Sequence, residues 1–565
     1  MKKVLLGVIA IIAIAVVVVV INQPKGKDVL NLIPAEAVFV VKANNLSKEV
    51  EYWKNRPFVK KIKSLDIEKI MIDAASTKQQ VAEYKNFCKE FDKIFSTVNI
   101  KLADQILGDE VAFAFLGNPI DYDSLKTGES ENFNKSLASN FLLVSRPKNS
   151  TILGMLDSII STDKIKTENY KENDIKTITI KKEMGVAISY VLVDGNFILG
   201  ANIDTVKKSI DNLKNKDFAS IAKSKKFTDA NKNLHSDYDQ LSYIDLAKYN
   251  ELLEPMQKMQ MNIIKNSGNK HLEKFITILN EVYKKTDMIT VSTGKRIGNE
   301  HQVKQNSTYN LKDYPEFAKV LEFSPLKSSN LSIIPENAIL ALSQSINIKE
   351  IIGFAKFAGA PIDMIKPQFK QFTNVEFDTF IAALGDSISF VLNDVKLGGM
   401  FPMPEISLML DIKDEKIISS IIDRLLMTSP MPIGKEKIGT GEISSVTLPI
   451  GIKPSYTFYS KNLIISSDIE ALKKLLDADK NNKSLKSNKF FSSKITGAIT
   501  FNINKVFSKA SEFVKSKPMP KKSPEGIIIN QVVFPILDAL KEDFNKIEQK
   551  IYMDKTGMFA EGIFK

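Results

Sequence analysis

Ser189-Tyr190 … Asn196-Phe197-Ile198-Leu199 … Ile203 … Lys207-Lys208 … Asp211 … Lys214 recurs as Ser455-Tyr456 … Asn462-Leu463-Ile464-Ile465 … Ile469 … Lys473-Lys474 … Asp477 … Lys480. The 26 aligned positions need no gap and hold 9 identities, with 6 further exchanges between apolar or aromatic residues. Such self-similarity predicts a duplicated architecture. Working outward, Ile33-Pro34-Ala35-Glu36-Ala37-Val38-Phe39-Val40 aligns with Ile334-Pro335-Glu336-Asn337-Ala338-Ile339-Leu340-Ala341, and Leu107-Gly108-Asp109 with Leu384-Gly385-Asp386. Phe141–Val144 aligns with Ser407–Leu410, Lys226-Phe227 with Lys489-Phe490, and Asp245–Lys248 with Asn502–Lys505. The offset between partners falls steadily along the chain, so the order of elements is kept and the first copy has the longer connections. One excess lies between Trp53 and Val98, another in the polar stretch Gly117–Asn140. Connections on the surface tolerate insertion far better than a core does.

Within the aligned block, Ile188–Val193 and Asn196–Leu199 are apolar runs joined by Asp194-Gly195, the strongest short-range hairpin signal. The second copy has Ser460-Lys461 at that turn. Asn202 and Asp468 follow as N-caps of a Lys-rich helix. Each copy opens on a strand, Ala37–Lys42 or Ala338–Leu342, with Pro34 or Pro335 just ahead of it. Helical stretches follow, with Ile67, Ile70, Met71 and Ala74 on one face in the first copy and Ile351, Phe354, Ala355 and Ala358 in the second. Further strands are read at Glu110–Phe115, Ser387–Leu392, Leu142–Val144 and Leu408–Met409-Leu410. The closing strands are Met288–Ser292 and Met558–Phe564. Hairpins interrupted by helices predict an α+β fold: each copy a largely antiparallel sheet with helices mainly on one face. The expected organisation is 1–30 as cytoplasmic tip, anchor and linker, 31–312 as copy one and 313–565 as copy two.

Lys2 and Lys3 precede 18 residues, Val4 to Ile21, without a polar side chain. The apolar members are Val4, Leu5, Leu6, Val8, Ile9, Ile11, Ile12, Ile14, Val16, Val17, Val18, Val19, Val20 and Ile21. As a helix the run is about 27 Å long, enough for a single transmembrane pass. The flanking lysines place the N-terminus in the cytoplasm and the body in the periplasm or outside the cell, on the inner membrane. The run is longer than a usual signal-peptide core, and Asn22–Lys27 offers no small-x-small cleavage site, so an uncleaved signal anchor is expected. The lipid bilayer is thus the first partner.

The net charge is +12, but lysines alternate with carboxylates throughout, and only Arg56, Arg146, Arg296 and Arg424 are arginines. That pattern gives no basis for reading nucleic-acid bases, which leans on arginine at base edges. Cys88 is the single cysteine, so no intramolecular disulfide forms. His235, His271 and His301 lack the spacing of a zinc motif. The chain has no G-x-S-x-G or H-E-x-x-H motif, and Ser292-Thr293-Gly294-Lys295 is read as a turn rather than a phosphate loop. Asp477-Ala478-Asp479-Lys480-Asn481 has acidic residues where a calcium loop would. It lacks the sixth-place glycine and the twelfth-place glutamate, so it reads as a helix end. No catalytic residue, metal or cofactor is assigned. Gly108, Asp109, Gly385 and Asp386 are read as structural turns ahead of a strand.

The run Ile-Pro-x-x-Ala before a strand, Leu-Gly-Asp before another, and Tyr with Asn-led strand before a Lys-rich helix resemble an uncharacterised family of bacterial envelope proteins carrying a domain of unknown function. The resemblance covers most of residues 31 to 565 and implies an exported α+β body with no catalytic residues to transfer. The expected function is a non-enzymatic binding or scaffold protein of the envelope. The alternative is a carrier or sensor of an apolar, lipid-like ligand held between sheet and helices. An envelope protein or such a ligand is the expected further partner.

Overall fold

The structure is a computed structural model, and it describes residues 28–44, 46–97, 107–108, 110–124, 130–148, 165–181, 186–214, 219–397, 402–427, 432–438, 441–448, 453–491, 494–516, 520 and 523–565. The run Val4–Ile21, Lys2, Lys3 and Asp109 lie outside these residues. Among the described residues no helix is long and apolar enough to cross a membrane. The chain divides into two compact units. The first takes in residues 1–260, 287–296 and 304–308, the second 261–286, 297–303 and 309–565.

The first unit is built on β1 (Phe39–Asn44), β2 (Glu110–Phe115), β3 (Phe141–Arg146), β4 (Ile165–Tyr170), β5 (Asn173–Lys181), β6 (Val186–Val193), β7 (Asn196–Gly200), β8 (Gln240–Asp245) and β9 (Ile289–Ile297). Their order across the sheet is β9-β8-β1-β2-β3-β7-β6-β5-β4, with every neighbouring pair antiparallel. β10 (Glu300–Thr308) pairs with β9. Between β1 and β2 run α1 (Leu46–Asn55), α2 (Pro57–Ser64), α3 (Ile67–Asp73) and α4 (Lys78–Thr97), and α5 (Ile203–Lys214) follows β7. Alternation sends Val40, Ala112, Val144, Ile198 and Val191 to one face, where Val206 and Ile210 of α5 close over them.

In the second unit α6 (Lys270–Lys285) packs Val282 against Tyr314 and against Phe354 and Ala358 of α7 (Ile348–Phe357). Residues 261–286, read as part of copy one in the sequence, thus cluster with the second unit. Its strands are β11 (Leu340–Ser345), β12 (Leu384–Lys396), β13 (Met403–Ile412), β14 (Ile433–Ile438), β15 (Gly441–Val446), β16 (Ser455–Tyr459), β17 (Asn462–Ser466), β18 (Gly497–Asn502), β19 (Lys546–Asp554) and β20 (Gly557–Phe564). The order is β20-β19-β18-β11-β12-β13-β17-β16-β15-β14, again antiparallel throughout. The helices are α8 (Ile362–Thr373), α9 (Phe377–Ala383), α10 (Glu415–Met427), α11 (Ile469–Lys480) and α12 (Ile503–Lys515). Ala341, Val391, Met409 and Ile464 face Leu472, Leu475 and Leu476 of α11. On the opposite face Leu463 and Leu410 pack with Ala383 of α9 and Ile418 of α10. Helices therefore cover both faces here, where the sequence suggests mainly one. α9 and α10 lie to either side of the β12–β13 hairpin in the chain, and their apolar sides need a second surface to cover.

The turns show how little the hairpin depends on glycine. Asp194 and Gly195 have φ of 48° and 76°, and Ser460 and Lys461 take 49° and 61°. The next residue fixes each turn: the side-chain Nδ2 of Asn196 donates to the Asp194 carbonyl at 3.1 Å, and that of Asn462 to the Ser460 carbonyl at 3.0 Å. Positive φ outside glycine is tolerated where such local bonds and the flanking ladder over-determine it.

Each unit also buries charge. Lys42, 2% exposed, pairs with Asp28 at 2.8 Å and Glu110 at 2.7 Å, and Arg146 holds the other oxygen of Glu110 at 2.8 Å. Glu548, 1% exposed, accepts from Lys546, Lys565 and Asn488 at 2.9, 2.9 and 2.7 Å. Burial alone would raise the pKa of Glu548, but Lys565 and Lys546 outweigh it and hold the carboxyl below its ordinary value. A depressed value stabilises the fold above the ordinary glutamate range, and that stability is lost as pH falls through the folded value. Glu548→Gln should therefore cost about 2 kcal/mol at pH 7. The difference from the parent should shrink towards zero in acid below the ordinary glutamate range. Urea unfolding across pH measures this, and a pH-independent difference would refute it.

Candidate functional site

In the second unit α11 is started by Asp468, whose carboxylate accepts from the N–H groups of Glu470 and Ala471, both at 2.9 Å. The helix then sets Lys474, Asp477, Ala478 and Asn481 along one flank, three or four residues apart. α12 is started by Asn502, which accepts from the N–H of Lys505 at 2.8 Å. This puts a lysine in the first helical turn, where the helix dipole disfavours a cation. Its Nζ compensates by donating to the carbonyls of Asn393 at 2.7 Å and Asn337 at 3.2 Å, beside Asp394 at 3.5 Å. Burial pushes the pKa of Lys505 down, with Lys474 and Lys509 adding repulsion against the pull of Asp394.

These groups, with Pro335 and Lys483, line a cavity of about 270 Å³. Lys474 also reaches out to the buried Glu405 at 2.6 Å. Buried Asn393 donates to the Ala471 carbonyl at 3.4 Å, while its Oδ1 finds no partner among the described residues. The lining carries ammonium, carboxylate and amide groups and no hydroxyl, thiol or imidazole. It can hold a small polar or ionic solute. It does not set a nucleophile beside a base. In the first unit Lys248 donates to the Ala35 carbonyl at 2.8 Å, and Lys208 donates to Asn118 Oδ1 at 3.2 Å.

The sequence-derived turn residues have specific steric roles. Gly108 has φ of +62°, and a Cβ there would lie 1.6 Å from the Arg146 carbonyl oxygen. Gly385 is not in a turn: it lies at the start of β12, where the register shifts between Leu384 and Ile388. A Cβ on it would meet Asp411 Oδ2 at 2.0 Å. That buried carboxylate accepts from the Asp386 N–H at 3.0 Å and pairs with Lys327, while the Asp386 side chain reaches Lys413 at 2.7 Å.

His235 lies ahead of β8, His271 in α6 donates from Nδ1 to the Gly359 carbonyl, and His301 lies in β10 beside Phe564. Asp477 and Asp479 lie in the last turns of α11, and Asp479 accepts from the Tyr459 hydroxyl at 2.9 Å, so the stretch is a helix end. Ser292–Lys295 belongs to β9, a strand rather than the expected turn. Among the described residues no group of three His, Cys, Asp or Glu side chains is placed to hold a metal ion.

The registers expose a feature the sequence did not announce. On the face away from α5, Val41, Phe113, Leu143, Leu199 and Tyr190 form one row across five neighbouring strands. In the second unit the row is Leu342, Phe390, Leu408, Ile465 and Tyr456. Val41, Leu342 and Ile465 remain 38–40% exposed, whereas Leu143 and Tyr190 are buried and Tyr456 packs against the cluster under α9 and α10. The signal was present as alternation in Ile388-Ser389-Phe390-Val391-Leu392, but both faces of that strand are apolar at its end.

The family described as "Protein of unknown function (DUF3352)" matches residues 104–524. The chain belongs to that family. The DUF3352 match runs from just before β2 to the stretch after α12 and so draws on both units. No curated protein matches the sequence. Two crystal forms of TP0453, III and I, are each 10% identical to this DUF3352 chain, covering 54% and 53% of it and 90% and 88% of TP0453. Both have a TM-score of 0.24, and the likeness implies nothing about function.

The steric roles separate the glycine from its neighbour. Gly385→Ala should cost about 2–3 kcal/mol, because Asp411 and the backbone must both move. Asp386→Ala, which loses an exposed ion pair, should stay within about 1 kcal/mol. Denaturant midpoints rank the two, and a larger loss for Asp386→Ala would show its carboxylate to be the essential group.

Proposed function

We propose that this DUF3352 protein is a tandem duplication, tethered to the inner bacterial membrane by Val4–Ile21, whose body lies outside the cytoplasm and binds or organises a partner of the cell envelope without catalysis. The observation that carries the binding reading is the pair of apolar rows on the less covered sheet face. Apolar side chains left open to water at Val41, Leu342 and Ile465 on such a face are of the kind that interaction sites use. Support for the duplication comes from the common strand order. It comes also from matched details: Pro34 bridges Ser220 as Pro335 bridges Ser484, and Asp245 caps the helix after β8 as Asn502 caps α12. The tether reading stands on Lys2, Lys3 and the apolar run.

A second reading, a carrier of an apolar, lipid-like ligand, is favoured by the same rows. The layer between sheet and α5 or α11 is filled by side chains at or near zero exposure, so a ligand would lie against the opposite face.

A reporter active only outside the cytoplasm, fused after Lys565, should be active, and one active only inside should be silent; the reverse pattern would overturn the topology. Native mass spectrometry of the detergent-extracted chain should show bound lipid if the carrier reading is right, with most of it lost in Phe390→Glu. Lipid-free protein that instead retains an envelope protein would favour the scaffold.

A further inference from the structure

We infer that the consecutive helices α1 and α2 of the first unit form a contact site for an anionic bilayer surface, with Trp53 and Ile62 entering the interface and Lys54, Lys60, Lys61 and Lys63 meeting lipid headgroups. This rests on the tether reading above.

Three observations carry it. The first is charge. Tyr52-Trp53-Lys54-Asn55-Arg56-Pro57-Phe58-Val59-Lys60-Lys61-Ile62-Lys63-Ser64-Leu65 holds five cations and no carboxylate; the longer lysine run Lys480–Lys509 is also free of carboxylates but spreads its cations more thinly and has no tryptophan. None of the four lysines is ion-paired with a described residue, although lysine–carboxylate pairs are common elsewhere in both units. The second is the apolar content between those charges. Trp53 is 43% exposed and Ile62 44%, and α2 has no buried residue. The basic helix α2 with its exposed aliphatic side chain, preceded by the exposed tryptophan near the end of α1, has the composition of an element lying in a membrane interface.

The third is reach. Only six residues, Asn22–Lys27, separate the apolar run from Asp28. Asp28 is pinned: its carboxylate accepts from the Leu30 N–H and pairs with Lys42, and Val29 and Leu30 are buried. Six residues extend at most about 20 Å. If the run spans the bilayer, this end of the first unit stays within that distance of its surface. Lys42 lies near the end of β1, and α1 begins directly beyond that strand. At 1.5 Å per residue α1 carries Trp53 only about 10–15 Å further. α1 is also held rigidly, because Arg296 grips Glu49 with two hydrogen bonds of 3.1 and 2.9 Å and stacks 3.4 Å from the Tyr52 ring centroid.

Trp53 is the chain's single tryptophan, so its fluorescence reports the site without a label. The full chain is reconstituted into vesicles of phosphatidylcholine, alone or mixed with phosphatidylglycerol. In the mixed vesicles Trp53 emission should shift to the blue, lose most of its intensity to lipid brominated near the headgroup, and resist aqueous iodide. Added salt, omission of phosphatidylglycerol, or the substitutions K60E, K61E and K63E together should reverse all three. Retention of the chain through alkaline carbonate, with Trp53 open to iodide and untouched by brominated lipid, would overturn the contact while leaving the tether intact. Trp53 shielded from both quenchers would mean that protein covers it, and would equally overturn the contact. Release by carbonate would sink the tether and this placement with it. Should the triple variant misfold, the comparison of lipid mixtures with the parent chain still decides.

Discussion

The constraint on which both units depend is the period of two in an antiparallel ladder. Once Val40 faces the core, its partners Ala114 and Tyr243 must do so too, and a slip of one residue would exchange the filled face for the half-open one. In the first unit the buried Lys42, held between the exposed Asp28 and the half-buried Glu110–Arg146 pair, helps fix that register at one end of the sheet. Taking one member away would leave a charge stranded out of water, which costs more than the intact pair contributes. The second unit has Ser343 hydrogen-bonded to Ser389 at 2.8 Å on the corresponding strand pair. Neutral and ionic pairs thus do the same aligning task at different desolvation cost.

Much of this was legible in the residues. Asp194-Gly195, the N-caps Asn202 and Asp468, and the apolar strand runs all appear where sequence reading puts them. Local rules sufficed because each depends on a few neighbours. Alignment of the copies was less secure. Sequence matching sets Phe141 against Ser407 and Phe227 against Phe490. The ladders instead give Val144 and Met409 corresponding neighbours, Ala112 with Ile198 and Ser389 with Ile464. Phe491, rather than Phe490, is the buried ring in its segment, as Phe227 is in its own. Both departures are one residue, the error that similarity between interchangeable apolar residues cannot detect and that strand alternation punishes.

The candidate cavity was less legible still. Lys474 and Lys505 were visible as repeated lysines, but 31 positions separate them, and only the packing of α11 and α12 beside the end of β12 gathers them around Asp394. Nothing in local spacing encodes that meeting. The apolar rows posed a different difficulty. A strand apolar on both faces looks like one buried on both, and only the cross-strand register shows which face lacks a full cover.

The sheet margins bear on how copies of the chain meet. β4 and β14 end their sheets, and β14 reads Ile-Gly-Lys-Glu-Lys-Ile, with Lys435 tied to Glu442 on its inner neighbour and Glu436 to Lys473. A strand so charged is a poor template for adding another, because each incoming strand would have to strip water from several ions. Growth of the sheet from molecule to molecule is blocked at that margin. Two copies of the chain meeting at that margin would therefore not extend the ladder into a fibre.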